Sequence, residues 1–410
     1  MAPQARIARR ARAFAAATVF IDMAGLGIVI PVMPRLIAEI TGASSGKAAV
    51  IGGWLLFAYA AMQFLFSPII GRISDRLGRR PVLLAALGGL AINYVVMALA
   101  TNILWLFIGR LLSGVTAATY AVASASLTDV TPLEDRARRF GQLHAALGAG
   151  LIVGPALGGL LGGVDARVPF WVAAGLIAST LCAGCIFFSE TRPPIRDPSA
   201  KDAGEGSSTF LLIKKNRPVL GLLLSFLLVE IAFHSLPSTW SFYAIERFAW
   251  DTRKIGYSLA LYGLLIAIAQ ASLPKLIVPR MGLAWTGAVA LALASIAYLG
   301  LAFLADQWSV WLFIMLMALG TLAFPTLQAM LSEMVDAHSH GALQGMVAST
   351  AGLAAMIGPV MMTQIFRFYV APGQGSDQPG WPGAPFFIAA LLAIVSSFIV
   401  FGFGRRSSGS

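Results

Sequence analysis

The chain has 410 residues, of which 58% are hydrophobic and 11% are charged, and its formal net charge is +11. A soluble globular protein carries about 25% charged residues, so the composition excludes that class and indicates a polytopic membrane protein. The positive charge does not indicate a nucleic-acid partner, because the basic residues stand in short loops between apolar runs, where membrane topology explains them. We expect no nucleic-acid partner.

Twelve apolar runs are each long enough to cross a bilayer, which takes about 20 helical residues. The predicted spans cover residues 13–38, 48–70, 81–101, 103–128, 138–163, 168–189, 217–244, 255–278, 283–305, 308–334, 341–368 and 384–403. The fold class is therefore an all-α membrane protein with both termini on one side. Most of the 29 Lys and Arg residues stand in the termini and loops of that side, which predicts that it is the cytoplasm.

The first span carries an acidic residue, Asp22, well inside its apolar run. An ionised carboxylate is costly in hydrocarbon, so Asp22 should face an interior cavity and favour its neutral form. Such a group suits the uptake and release of a proton. The alternative is a purely structural polar contact.

A polar loop with the sequence GRISDRLGRRPVLL, residues 71–84, joins spans 2 and 3. Asp75 can pair with a nearby arginine, and glycines permit tight backbone turns at both ends of the acidic stretch. We predict a cytoplasmic turn that locks and unlocks, and the alternative is a generic basic loop. The residues of the predicted switch are Gly71, Asp75, Arg76, Gly78, Arg79 and Arg80.

Span 4 contains Arg110, and span 5 contains the run GAGLIVGPALGGLLGG, residues 148–163. An arginine within a span either steers the protonation of a nearby acid or extends to the interface, and we favour a position facing the cavity. Gly150, Gly154 and Gly158 leave one helix face without side chains, so a neighbouring helix can approach closely. Pro155 removes a backbone hydrogen bond and should bend the helix. Ordinary helix packing is the alternative for this run.

The chain divides near its middle. Residues 190–217 are rich in Pro, Gly, Ser and charge, which predicts a cytoplasmic linker between an N-terminal half, 1–189, and a C-terminal half, 218–410. Laying the second half on the first places Gly358-Pro359 on Gly154-Pro155. Parallel repeats of this kind indicate a transporter with its substrate site between the halves.

Span 7 carries Glu230 and His234 one helical turn apart, a spacing that allows a direct hydrogen bond on one helix face. We hypothesise that the pair shares proton coupling with Asp22. The alternative is that each residue satisfies a neighbouring helix.

Aromatic and hydrogen-bonding side chains in six of the spans suit the wall of a cavity for a bulky amphipathic molecule. Each of them is equally suited to packing. The candidate substrate-binding residues are Tyr59, Gln63, Tyr120, His144, Trp240, Gln270, Phe324 and Gln328.

Several of these motifs resemble a known family. The 71–84 loop resembles the signature loop between helices 2 and 3 of the major facilitator superfamily, and the span-5 run resembles the signature of drug/proton antiporters. Residues 20–34, 109–118 and 341–345 are similar to spans 1 and 4 and to the loop before span 11 of tetracycline/proton antiporters. The resemblance implies a major facilitator fold, with twelve transmembrane helices in two pseudo-symmetric six-helix halves.

The resemblance also implies residue roles. Asp22 matches that family's span-1 acid, Arg110 its span-4 arginine, and Asp129 the acid that joins the loop arginines in a charge network; simple loop polarity is the alternative for Asp129. The chain departs from the family where tetracycline exporters have an acid, a histidine and an acid in spans 3, 8 and 9. The matching positions here are Asn93, Ile266 and Ala294.

The expected function is proton-coupled export of small amphipathic or hydrophobic compounds, as in multidrug or tetracycline-like efflux, by alternating access. Export of a lipid, siderophore or metabolite is the alternative, and the span-5 run disfavours a proton-coupled uptake symporter. We expect no enzymatic activity, no metal and no cofactor, since the proton gradient supplies the energy. The protein should act as a monomer in the bacterial inner membrane, with protons and a small-molecule substrate as its partners. Two cysteines, Cys182 and Cys185, are expected to be small buried residues.

Overall fold

The computed structural model describes residues 3–117, 119–191, 217–335, 339–370 and 380–407. Within those ranges the chain forms helices and turns and no strand, as the apolar runs predict. The predicted linker lies almost wholly outside the described residues. The linker and the two halves that it would separate therefore stay predictions.

Fourteen α-helices follow one another in the described ranges. They are α1 Pro3–Thr41, α2 Ser45–Leu77, α3 Arg79–Ala98, α4 Ile103–Thr116, α5 Thr119–Asp129, α6 Arg136–Gly162, α7 Val168–Phe187, α8 Arg217–Phe233, α9 Ser235–Phe248, α10 Thr252–Leu299, α11 Val310–Gly320, α12 Ala323–Glu333, α13 His340–Val370 and α14 Ala384–Ser407. A 3₁₀-helix at Leu133–Asp135 precedes α6, and a π-helix at Gly300–Leu304 follows α10.

Eleven segments of the described chain are long and apolar enough to cross a membrane, whereas the sequence predicts twelve. The difference lies in Thr252–Leu304, a segment of 53 residues that covers predicted spans 8 and 9 together. Its helix α10 leaves helical geometry at Gly282, where φ is 75° and ψ is 166°. Glycine adopts such a conformation without the strain that a side chain would add. The turn that the sequence predicts between spans 8 and 9 is thus a break in helical geometry at Gly282.

Three other predicted spans each consist of two helices in succession. The segments are Ile103–Asp129 with α4 and α5, Arg217–Phe248 with α8 and α9, and Val310–Glu333 with α11 and α12. Helix α4 begins where the Asn102 side chain accepts hydrogen bonds from the backbone N–H groups of Leu104 and Trp105. Such a cap satisfies donors that the first helical turn leaves free.

The chain groups into two compact units. Unit 1 comprises Met1–Ser44, Leu55–Asp197 and Trp250–Leu261, and unit 2 comprises Ser45–Trp54, Pro198–Ala249 and Tyr262–Ser410. In unit 1, α1 packs against α6, and α3 packs against α4 and α7. In unit 2, α8 packs against α13 and α14. The first turns of α2 belong to unit 2, and the first turns of α10 belong to unit 1.

The π-helix of unit 2 presents backbone carbonyl groups that aromatic side chains satisfy. The Tyr243 hydroxyl donates to the Leu301 carbonyl at 2.7 Å, and the Trp381 indole donates to the Ala302 carbonyl at 2.8 Å. Tyr243 and Leu301 are each 1% exposed. A buried carbonyl without a donor is costly, so these side chains hold the irregular segment in place.

Replacing Tyr243 by phenylalanine should lower the free energy of unfolding by about 1–3 kcal/mol, because the buried Leu301 carbonyl loses its donor. Thermal unfolding of the purified protein in detergent measures the effect. Tyr257→Phe is the matched control, because Tyr257 is 50% exposed. Equal unfolding temperatures for the two variants would contradict this role for the Tyr243 hydroxyl.

Candidate functional site

The polar loop 71–84 contributes to a charge network in unit 1 that is centred on Arg79. Gly78 alone links α2 to α3, and its φ is 104°, a conformation that favours glycine. The Arg79 guanidinium pairs with Asp75 at 2.6 Å and with Asp129 at 3.0 Å. The loop arginine and the acid at the end of α5 therefore lie in one network, and its switching role stays a prediction.

The other loop residues have separate positions. The prediction of a turn at Gly71 is wrong, because Gly71 lies inside α2 and the helix continues for six more residues. A Cβ added at Gly71 would have no atom within 4 Å. Arg76 lies exposed in the last turn of α2, where a positive charge favours the helix dipole. Arg80 donates from Nη2 to the Cys185 carbonyl at 2.8 Å.

Both cysteines of α7 are exposed, so the expectation that Cys182 and Cys185 are buried is wrong. A thiol behaves as a small apolar group, which suits a helix surface that faces lipid as well as it suits a core.

Sequence reasoning missed Glu190, which caps α3. Its carboxylate accepts the backbone N–H of Arg79 at 2.8 Å and that of Arg80 at 3.1 Å. Gly78 precedes α3 and has no side chain to serve as a cap, so an acid from elsewhere takes that place. The sequence carries no signal for this contact, because Glu190 stands 111 residues after Arg79.

Replacing Glu190 by alanine should lower the free energy of unfolding by about 1 kcal/mol, because two N–H groups at the start of α3 lose their acceptor. Glu246→Ala is a suitable control, since Glu246 is an exposed glutamate on α9. Chemical or thermal unfolding in detergent measures both variants. A cost for Glu190→Ala no larger than that of Glu246→Ala would contradict the capping role.

A buried polar cluster occupies the middle of unit 1. Asp22 of α1 is 9% exposed and Arg110 of α4 is 4% exposed. Tyr59 of α2 and Tyr94 of α3 each lie within electrostatic range of both Asp22 and Arg110. Burial of Arg110 places its charge inside the helix bundle of unit 1 rather than at an interface. Four helices thus bring one acid, one base and two phenols together.

The cluster retains free hydrogen-bonding capacity. Among the described residues, no side chain donates a hydrogen bond to Asp22, and Arg110 Nε has no acceptor. Asn93 of α3 donates to Ser113 of α4 at 2.6 Å. Sequence reasoning missed Tyr94. Its hydroxyl lies so close to α1 that a Cβ added at Gly25, one turn after Asp22, would be only 2.6 Å from it.

Two predicted substrate residues of unit 1, Tyr120 and His144, form a direct pair. The Tyr120 hydroxyl lies 3.2 Å from His144 Nε2, and His144 Nδ1 lies 3.0 Å from the Phe140 carbonyl. Because a carbonyl only accepts, Nδ1 carries the proton, and a neutral imidazole then accepts from Tyr120 at Nε2. Tyr59 and Gln63 lie on α2 where it crosses α4 at Gly114, half-buried.

The glycine face of span 5 packs on α1. A Cβ at Gly150, Gly154 or Gly158 would collide with the backbone carbonyl oxygen of Phe20, Ala24 or Ile28, respectively. Helix α6 continues through Pro155, whose ring fits against Gly27 of α1. The predicted close approach of a neighbouring helix is present in the structure, and the predicted bend at Pro155 stays a prediction.

A second glycine contact in each unit was not predicted. In unit 1, a Cβ at Gly256 of α10 would lie 2.6 Å from the Gly159 Cα of α6. In unit 2, a Cβ at Gly53 of α2 would lie 2.9 Å from the Pro359 carbonyl oxygen of α13 and would also meet Thr363. These crossings explain why the first turns of α2 and α10 group with the units that they join.

In unit 2, the predicted hydrogen bond between the Glu230 and His234 side chains is absent. His234 Nδ1 bonds to the Glu230 backbone carbonyl at 2.8 Å, so the imidazole turns toward its own helix rather than toward the carboxylate. A Cβ at Gly358 of α13 would lie 2.7 Å from the His234 Cβ. Glu230 is half-buried, and its carboxylate has no ion pair or hydrogen bond within the described chain. Proton coupling by this pair stays a prediction.

The remaining predicted wall residues occupy different environments. Trp240 is 1% exposed and its ring lies 5.8 Å from Tyr243 and 6.3 Å from Phe386, which argues for a packing role. Gln328 is exposed. Phe324 lines a cavity in unit 2, and Gln270 donates at 3.4 Å to Thr321, which also lines it.

Comparison with known proteins identifies relatives over nearly the whole chain. The family model for the Major Facilitator Superfamily matches residues 15–359. The class C tetracycline resistance protein of Escherichia coli is 37% identical over 379 residues, 92% of this chain and 93% of that protein. The class G tetracycline resistance protein of Vibrio anguillarum is 37% identical over 382 residues, again 92% and 93% of the two chains.

The solved structures agree in fold. A bacterial homolog of the human lysosomal transporter Spinster superposes with a TM-score of 0.79 at 14% sequence identity, over 97% of this chain and 96% of that chain. The human organic anion transporter MFSD10 superposes with a TM-score of 0.69 at 22% identity, over 98% and 100% of the two chains. At these identities the likeness concerns the fold alone.

Proposed function

We propose that this chain, which belongs to the Major Facilitator Superfamily and within it to the tetracycline resistance proteins, exports tetracycline or a similar polycyclic drug in exchange for protons. As a member of that family it is a drug-efflux transporter and a multi-pass protein of the bacterial inner membrane. The proton gradient supplies the energy, so transport needs neither a cofactor nor an enzymatic step. Both termini face the cytoplasm, and the monomer is the transporting unit.

The observation that carries the proposal is the buried cluster of Asp22, Arg110, Tyr59 and Tyr94 in unit 1. Burial favours the neutral form of Asp22, and contact with water favours its ionised form. The carboxylate takes a proton from the outer aqueous phase and releases it to the cytoplasm as the protein changes conformation. Each proton that binds Asp22 removes its charge and leaves Arg110 as the remaining charge of the cluster.

The Arg79 network provides a second element of the proposed cycle. Arg79 holds the α2–α3 turn to the end of α5 through Asp75 and Asp129. Its side chain is 13% exposed and that of Asp129 is 16% exposed, so water screens this pair less than an exposed ion pair. We propose that the network is made in one conformation of the transport cycle and broken in the other.

The proposal is tested in everted membrane vesicles whose lumen has been acidified. Tetracycline added outside should enter the vesicles, and the lumen should become less acidic because protons leave as the drug enters. A symporter would give the opposite pH change. Uptake that continues unchanged after a protonophore collapses the gradient would overturn the proposed coupling, and membranes without the protein give the background.

A further inference from the structure

The Glu230 carboxylate in unit 2 has no cationic partner among the residues that the structure describes. Glu230 stands on α8 within the membrane segment Arg217–Phe248 and is half-buried. Its carboxylate forms no ion pair and accepts no hydrogen bond within the described chain. An acid inside a membrane segment is costly unless it is neutral or meets a cation. The position therefore suits a cation that the protein itself does not supply.

The neighbouring base, His234, does not supply that charge. Its Nδ1 donates to the Glu230 backbone carbonyl at 2.8 Å, since a carbonyl only accepts. An imidazole with its proton on Nδ1 satisfies this bond in its neutral form. Among the described residues, no acid pairs with His234. The carboxylate one turn before it therefore stays available to a ligand.

Three phenylalanine rings lie on the same side of α8 as Glu230. Phe226 precedes Glu230 by four residues and Phe233 follows it by three, and these spacings place side chains on one helix face. The ring centroid of Phe324, on α12, lies 6.1 Å from that of Phe226 and 5.4 Å from that of Phe233. A ring that meets two residues two turns apart lies over the turn between them, and that turn carries Glu230.

This group of side chains is open on one side. Phe226 is 2% exposed and anchors the rings in the core, whereas Phe233 and Phe324 are half-buried, as Glu230 is. Gln328 stands one turn after Phe324 on α12 and is exposed. A ligand can therefore reach a carboxylate, two aromatic rings and an amide that belong to two packed helices.

The combination of one carboxylate with aromatic rings favours an organic cation over a metal ion. The electron-rich faces of the rings attract a cation, and the carboxylate supplies the opposite charge. A hard divalent cation takes about six oxygen ligands. The described residues contain no group of three or more His, Cys, Asp or Glu side chains that could hold a metal ion. A cation with apolar substituents needs no such set of ligands.

We propose that Glu230, Phe233, Phe324 and Gln328 bind the positively charged group of an amphipathic organic cation, and that they form a subsite for the transported drug. The part that concerns transport rests on the proposed export function. Tetracycline fits this class, because its dimethylammonium group is positively charged at neutral pH. The site uses a different carboxylate from the proton-binding cluster of unit 1, so drug and proton do not compete for one acid.

Tetraphenylphosphonium and tetraphenylborate are the probes for the test, because they have nearly the same size and the same rings but opposite charges. Equilibrium dialysis measures their binding to the purified full-length protein in detergent. Glu230→Gln should weaken tetraphenylphosphonium binding about tenfold or more, because the opposite charge is lost from a partly buried site. It should not weaken tetraphenylborate binding. Glu246→Gln, at an exposed glutamate of α9, should change neither affinity.

A second pair of variants tests the rings. Phe324→Leu should weaken tetraphenylphosphonium binding about two- to fivefold, because leucine is apolar but has no ring face that attracts a cation. Phe398→Leu is the matched control, since Phe398 is 73% exposed on α14. Thermal unfolding shows whether Phe324→Leu is folded, and if it is not, the glutamate pair decides alone. Equal tetraphenylphosphonium affinities for wild type and Glu230→Gln overturn the proposal, and so does an equal loss of both probes in Glu230→Gln.

The cation site and the export function fail in different ways. Tetraphenylphosphonium binding that depends on Glu230, together with wild-type vesicles that show no proton-driven tetracycline uptake, would support the site and overturn the export function. Gradient-driven uptake in wild type, with a Michaelis constant for tetracycline unchanged in Glu230→Gln, would overturn the site as a drug subsite. If Glu230→Gln bound the probe normally but lost uptake, Glu230 would carry a proton and the cation site would be overturned. A rise in the Michaelis constant, with the proton dependence intact, is the expected result.

Discussion

Replacing Asp22 by asparagine should reduce proton-driven drug uptake in everted vesicles to the level of membranes without the protein, while the protein still folds and inserts. Asparagine has nearly the same shape as aspartic acid but takes up no proton. Because burial already favours the neutral form of Asp22, a neutral amide at this position should cost little stability. The variant should therefore fold normally and fail to transport because it has no group that carries the proton.

A second measurement separates coupling from binding. Exchange of drug across the membrane without a pH gradient should survive in Asp22→Asn, because a neutral side chain imitates the protonated state. Asp165→Asn is the matched control, since Asp165 is an exposed loop acid whose Oδ1 accepts the Arg167 N–H at 2.7 Å, a bond that asparagine can also make. If Asp22→Asn still took up drug at the wild-type rate under a pH gradient, another acid would have to carry the proton. Glu230 would then be the next candidate.

The fold and the charged loop were largely predictable because their signals are local. Apolar runs of sufficient length define membrane segments, and Asp75 and Arg79 stand close enough in the loop sequence to pair. The contact of Arg79 with Asp129 was anticipated only through the family resemblance. Glu190 was not predicted, since it caps α3 from more than a hundred residues further along the chain, and hydropathy carries no information about such a pairing.

The span-7 pair shows a different limit. The prediction for Glu230 and His234 rests on helical spacing, which is the only geometry that a sequence pattern supplies and which does not fix the side-chain rotamers. In the structure the His234 N–H still donates to the Glu230 carbonyl, and the imidazole bonds to that same carbonyl instead of to the carboxylate. The His234 side chain also packs against Gly358 of α13, and that contact is tertiary.

The internal repeat recurs in the glycine contacts. Pro155 and Gly159 of α6 meet Gly256 in unit 1, and the positions related by the repeat, Pro359 and Thr363 of α13, meet Gly53 in unit 2. The sequence repeat predicted the matching prolines. It did not identify Gly53 or Gly256, because neither stands in a recognisable motif.

Replacing Gly154 by alanine should destabilise the protein, although the same substitution in a helix normally stabilises it by about 0.5–1 kcal/mol. The added Cβ would collide with the Ala24 carbonyl oxygen and would lie 2.9 Å from the Gly27 Cα and 3.0 Å from the Ala24 Cα. All three atoms belong to the backbone of α1, so no side-chain rotation relieves the overlap. Helices α1 and α6 would have to separate, and α1 carries Asp22.

Gly148→Ala is the matched control, because Gly148 lies two turns earlier on α6 and has no atom within 4 Å of the new Cβ. The two variants should shift the unfolding temperature in opposite directions, upward for Gly148→Ala and downward for Gly154→Ala. Overpacking of this kind costs typically about 1–3 kcal/mol, which exceeds the gain in helix propensity. Gly154→Ala should also lose drug transport, because moving α1 displaces Asp22 from the cluster that it forms with Tyr59 and Tyr94. A stabilised and fully active Gly154→Ala would show that the close approach of α1 and α6 is dispensable for both folding and coupling.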